Sequence, residues 1–178
     1  GNALAAQWDA MPAALRHDPA VAAAYAERAA ALHWDDAAAQ ALEQALDANW
    51  DESLAMQYGR LQIGRLDQRL ARSERWLAQH PDSPGLLLSH ARLQHAHGDW
   101  AGADASLQRA IARGAGPEAW ELLGHGYAAN GDDAAARIAY ANALRSARGD
   151  ATLELPVDGA RAPRDYDLRD GRGPTRLQ

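Results

Sequence analysis

Any chemistry in this chain has to come from histidine, carboxylate or arginine, because its 178 residues include seven histidines and no cysteine. The missing thiol excludes a disulfide framework, a thiolate zinc site, an iron–sulfur cluster and a cysteine nucleophile. His95 and His125 have the residue type to ligate a metal or a haem iron, since neutral imidazole is a common ligand. A lone histidine on a groove is more often a hydrogen-bonding surface residue, and both roles stay open. His95-Ala96-His97 lacks the i, i+4 spacing that sets two ligands on one helix face. Arg65, Arg69, Arg72 and Arg75 follow helical spacing and would form a basic stripe able to meet an acidic partner or anionic lipid heads. A solvated face, partly neutralised by Asp67 and Glu74, is the plainer expectation. No H-E-x-x-H or G-x-S-x-G motif occurs, and Gly124-His125-Gly126 lies in a helical pattern without the strand a phosphate loop needs. Asp35-Asp36 and Asp132-Asp133 stand at helix starts, where carboxylates meet exposed N–H groups and the favourable end of the dipole. The expectation is therefore binding, with no catalytic residue, no metal site and no required cofactor.

The elements that must position these residues follow from composition and period. At 19.1 kDa the chain is long enough for one compact domain or one repeat array, and too short for two sizeable enzyme domains. Alanine supplies 44 residues, lysine none, and the remainder is rich in Leu, Arg, Glu and Gln, a helix-forming mixture. A net charge of −6 and a pI near 5.6 argue against a nucleic-acid partner. No apolar run approaches the ~20 residues a membrane span needs. Gly1-Asn2-Ala3 reads as a remnant of cloning or tag removal, so a piece of a longer protein is expected.

Gly98-Asp99-Trp100 aligns with Gly131-Asp132-Asp133 at an offset of 33 residues, which brings Ala103 onto Ala136, Leu107 onto Tyr140 and Ala110 onto Ala143. Trp120, Leu123-Gly124 and Tyr127 precede the second copy in the order and spacing of the tetratricopeptide repeat, which this stretch resembles. Small residues at Gly124, Ala136 and Ala143 would let paired helices approach, with Trp120, Tyr127 and Tyr140 filling the space beside them. Weaker copies occupy 19–50 and 50–81, the latter with Trp76 where the pattern wants Ala, which predicts a wider helix crossing or a locally different packing there. Breakers such as Asp18-Pro19, Ser83-Pro84 and Gly116-Pro117 divide the chain into about nine helices, at 3–16, 19–31, 35–48, 51–62, 65–79, 84–97, 100–113, 117–130 and 133–148. The fold class expected is all-α: a right-handed solenoid of about four helix pairs plus a leading helix over 1–148, then an irregular tail over 149–178. Within that tail Leu153-Glu154-Leu155-Pro156-Val157 is the stretch able to dock.

Projecting the repeat puts the first helix of each pair on a concave wall. The predicted partner-binding residues are Tyr58, Leu88, Arg92, His95, Glu121 and His125, with Leu54, Leu61 and Glu118 also on the projected wall. His90 falls on a packing position and reads as a satisfied buried histidine. Trp76 and Trp120 read as core, and Trp100 as a staple between neighbouring helices. A mixed wall of this kind suits an extended peptide or a flat amphiphilic ligand.

Tyr58-Gly59-Arg60-Leu61, Ser73-Glu74-Arg75-Trp76-Leu77 running into His80-Pro81-Asp82-Ser83-Pro84, Leu86-Leu87-Leu88, Arg92-Leu93 and Pro117-Glu118-Ala119-Trp120-Glu121 together resemble the HemY family of bacterial inner-membrane proteins. The likeness is good over 50–148 and loose over 1–49. It departs at Ser89-His90-Ala91, where Leu-Gly is usual, and at Ala101-Gly102, where Gly-Lys is usual. The resemblance implies a role in late haem biosynthesis without catalysis, and a partner such as ferrochelatase or a porphyrin or haem ligand. It also implies two membrane helices ahead of these residues and a location on the cytoplasmic side of the inner membrane. A generic scaffold for an extended peptide, in envelope assembly or cytochrome maturation, is the alternative.

Overall fold

The computed structural model describes residues 2–156. Among the described residues there are ten helices and no strand: α1 (Asn2–Ala10), α2 (Ala13–Arg16), α3 (Pro19–Ala31), α4 (Asp35–Ala48), α5 (Glu52–Arg60), α6 (Leu66–Gln79), α7 (Pro84–His97), α8 (Trp100–Ala112), α9 (Pro117–Ala129) and α10 (Asp133–Ala147). The all-α expectation holds, with one more helix than expected. The leading segment breaks at Pro12, which takes an extended backbone (φ −58°, ψ 145°) and starts α2. Most other boundaries come from short-range chemistry. Asp18 accepts from the backbone N–H groups of Ala20 and Val21 at 3.0 and 3.1 Å, directly before Pro19. The Ser83 hydroxyl accepts from Leu86 N–H at 3.1 Å beside Pro84, and Asp51, Asp99 and Asp132 cap α5, α8 and α10 in the same way.

Two apolar clusters form the core. The first gathers Trp8, Tyr25, Leu42, Leu46, Leu54, Tyr58, Trp76, Leu86 and Leu93. The second gathers Leu87, Leu88, Ala91, Leu107, Trp120 and Leu123. Helix α7 feeds both, and every residue from Gly85 to Ala91 is buried. A helix with apolar groups on all sides belongs in the middle of its neighbours. It packs along α5, α6 and α8, while α9 packs on α8 and α10. Close approach depends on small residues: a Cβ on Gly124 would meet the Tyr140 ring at 2.6 Å.

Consecutive helices α5 and α6 make almost no close backbone contact, unlike α7 with α8 or α9 with α10. Large side chains stand between them. The Arg69 guanidinium lies over the Tyr58 ring at 4.5 Å, and Tyr58 meets Trp76 edge to face at 5.2 Å. Arg69 also donates to the carbonyls of Tyr58 and, at 2.9 Å, Gln62. The first carbonyl lies in the last turn of α5 and the second just beyond it, so a cation from α6 satisfies acceptors that the helix end leaves open. Helix α5 accordingly stops at Arg60, short of the expected 62, and Leu61 turns extended (φ −65°, ψ 150°).

Of the expected basic stripe only Arg75 stays an exposed residue, the others being taken up by ion pairs to α4 and by burial of one guanidinium. Arg69 is 1% exposed. Arg65 pairs with Asp36 at 2.9 Å, and Arg72 with Asp47 at 2.7 Å and Glu43 at 3.5 Å. The neutralising acids lie on α4, not at Asp67 and Glu74. At the other end of the chain, Asn142 is fully buried and binds the Leu153 backbone at both ends, its Nδ2 donating to the carbonyl (2.8 Å) and its Oδ1 accepting from the N–H (2.6 Å). Leu155 packs on the second cluster. Residues 153–156 of the proposed docking stretch therefore lie along the fold, and Val157 lies outside the described residues.

Candidate functional site

The early end of α5 leaves space beside α7. Leu61, Gln62 and Ile63 turn away from the helix line and become one wall of a cleft of about 550 Å³. Ala91, Arg92, His95 and Ala96 of α7 form its floor; Trp100, Ala103 and Leu107 come from α8, and Leu122, His125 and Gly126 from α9. A cavity of this size with mostly apolar walls and a few polar groups at the rim is the usual form of a small-molecule site. Gly126 carries no side chain because the Trp100 ring occupies the place a Cβ would take. Trp100 in turn packs edge to face against His95 (5.6 Å between ring centres) and Tyr127 (5.4 Å). The His125 ring packs edge to face on Tyr140 at 5.5 Å. Both histidines at the cleft thus have rings held by aromatic neighbours.

At the α5 end sits a three-residue charge cluster. Arg60 donates through Nε and Nη2 to the Glu118 carboxylate at 3.1 and 2.6 Å, and Arg92 donates through Nη2 to the same carboxylate at 2.7 Å. The hydrogen bond from Arg60 holds the Glu118 carboxyl below the ordinary carboxylate range, with burial opposing and Arg92 adding to the effect. Glu118 is therefore ionised at neutral pH.

The predicted site residues divide. Arg92, His95 and His125 come together at the cleft. Tyr58 and Leu88 do not: they are 0% and 2% exposed, in the first and second apolar clusters. The Tyr58 hydroxyl donates to Glu43 Oε1 at 2.8 Å, and burial followed by the Glu43 charge pushes its pKa up. The correction has a cause. Tyr58 is covered by Glu43, Arg69 and Trp76 and Leu88 packs into the second cluster, while Gly59 N–H donates to the Ser89 hydroxyl at 2.9 Å and draws α5 against α7. Leu54, also expected on the wall, is buried too. Glu121 is exposed and does not line the cleft. Gln62, which the projection also puts on the wall, lines the cleft, while Arg60, Ile63 and Leu122 are functional candidates that sequence reasoning missed. The signal for Ile63 was the adjoining Gly64, which marks a chain outside helical form.

His90 matches its expected role. Its Nδ1 lies 2.8 Å from the Ser73 hydroxyl, which is also 2.7 Å from Leu70 O. Assigning the single hydroxyl hydrogen to Leu70 O makes His90 Nδ1 the donor. Among the described residues no group of three or more His, Asp or Glu is placed to hold a metal ion, and no helix is long and apolar enough to cross a membrane. No protein-family model matches the chain, and no curated protein matches it.

Proposed function

We propose that this chain is a non-catalytic binding module, a right-handed tetratricopeptide-like solenoid, and that its ligand belongs to late haem biosynthesis. The observation that carries the binding reading is the cleft of about 550 Å³ walled by Leu61, Trp100, Leu107 and Leu122 and rimmed by Arg92, His95 and His125. The 33-residue period and the packing of α7 with α8 and α9 with α10 support the repeat reading. The haem-pathway assignment rests on the HemY resemblance, and with it a place at the cytoplasmic side of a bacterial inner membrane.

Burial of Tyr58 and Leu88 favours a compact ligand over an extended one. At this cleft Leu61, Trp100, Leu107 and Leu122 converge on one concave space, apart from a second apolar groove beside Leu4, Trp8 and Tyr25. A porphyrin fits that chemistry: an apolar plate to fill the cleft, with His95 or His125 as the imidazole that would meet an iron. Bound haem would supply visible absorption and an axial ligation site; these residues would orient it and exclude water. A haem-pathway protein such as ferrochelatase is the partner that would exchange this ligand. The rival reading is a scaffold for an extended peptide, supported by the exposed run from His95 to Asp99 along the rim.

Titrating the purified chain with haem and with ferrochelatase tests the assignment. Saturable binding of either is expected; no binding of either would remove the haem-pathway claim. Replacing His95 and His125 with Ala should abolish a haem Soret shift under the first reading. Under the rival one it should leave capture of a peptide partner intact.

A further inference from the structure

We infer that Arg60 and Arg92 form an anion-receiving pair, so that the cleft takes its apolar ligand as an acid, with a carboxylate directed to the α5 end. This rests on the reading of the cleft as a ligand site and adds its charge and polarity. Both arginines line the cleft, whereas Glu118, which they share, does not. One carboxylate between two guanidiniums leaves a positive charge in surplus at this end, in a chain whose net charge is −6.

Glu118 acts here as a positioning residue. Its carboxylate engages Nε and Nη2 of Arg60 but only one nitrogen of Arg92. Among the described residues Arg92 has no other hydrogen-bond partner, and its side chain is 28% exposed. A guanidinium carries five N–H donors in a rigid fork matched to a carboxylate. Arg92 thus keeps free donors at the edge of an apolar cavity, where partial desolvation strengthens a charge-assisted hydrogen bond. Holding both long side chains before the ligand arrives removes much of the ordering cost of binding. Together, Leu61, Leu107 and Leu122 set the apolar end and Arg60 and Arg92 the anionic one.

The probe pair is protoporphyrin and its dimethyl ester, identical in ring and differing in carboxylate charge, titrated into the full chain by tryptophan quenching. The acid should bind at least about tenfold more tightly than the ester, the order expected for a hydrogen bond to a charged group. The gap should narrow as salt is raised. R92M and R60M, checked for unchanged helical circular dichroism, should erase the acid preference while keeping ester affinity. Equal binding of acid and ester by the unmodified chain overturns this inference and leaves the cleft reading in place. An acid preference that survives in R60M and R92M and ignores salt also overturns it. If neither probe binds, the ligand-site reading fails and this inference falls with it.

Discussion

Gly59 fixes how closely α5 and α7 approach, and two opposing effects can be weighed at this one residue. On an isolated helix, Gly→Ala gains about 1 kcal/mol of propensity. Here the new Cβ would fall on the Ser89 Cα, well inside 3.0 Å, and displace the hydroxyl that accepts from Gly59 N–H and donates to Ala55 O. Overpacking costs about 1–3 kcal/mol and a lost buried hydrogen bond about 1–3 more, so the clash wins. Gly59→Ala should destabilise by about 2 kcal/mol or more in denaturant unfolding; a stabilised variant would mean the helices are not in contact there. A second residue-scale effect is pH dependence. Burial is the largest influence on His90 and lowers its pKa from 6.5, Glu74 and Asp99 pulling it up and Arg109 down. The unfolded chain therefore binds this proton more readily than the folded one. The stabilisation is complete above pH 6.5 and is lost as pH falls through the depressed folded value. His90→Gln should flatten the fall in melting temperature below about pH 6.5, relative to the unmodified chain, with the other six histidines common to both.

Among elements, those set by neighbours in sequence were legible and those set across the fold were not. Asp18-Pro19 and Ser83-Pro84 announce helix starts because a cap and a fixed φ act within three residues. The end of α5 is fixed instead by Arg69, a residue of the next helix whose spacing reads as solvated surface. Projecting an ideal repeat failed for Tyr58 for the same reason, since Trp76 and Arg69 of α6 cover its ring. Leu88 is buried instead by Leu107, Trp120 and their neighbours in the second cluster. Arg92, His95 and His125 come together at one cleft, carried there by the neighbouring helices α7 and α9. The segment after α10 carries its own prediction. Asn142→Ala removes both hydrogen bonds to Leu153 and should cost about 2 kcal/mol. Hydrogen exchange should then quicken over 151–156 while the middle of α7 keeps its protection. Unchanged exchange over 151–156 would show that Leu155 and the hydrogen bond from Arg145 to the Ala151 carbonyl secure the segment without Asn142.

At the scale of the molecule, the two apolar clusters are joined through α7, which sends Leu86 and Leu93 to one and Leu87 and Leu88 to the other. Unfolding followed by circular dichroism and by tryptophan fluorescence should therefore coincide, since neither cluster survives loss of that helix. Two separated transitions would contradict a shared core. The cleft lies beside the C-terminal part of the same helix, so apart from Ala91, which serves both, ligand contacts and core contacts fall on different residues of α7. Ala96 is one of the former, exposed at the cleft and absent from both clusters. Ala96→Trp would fill the cavity without disturbing the core, and haem titration of this variant beside the unmodified chain is the most direct measurement of the cleft's role. The account predicts saturable haem binding with a Soret shift by the unmodified chain, and loss of both in Ala96→Trp at an unchanged melting temperature. Binding of equal strength by the two proteins, or by neither, would contradict it.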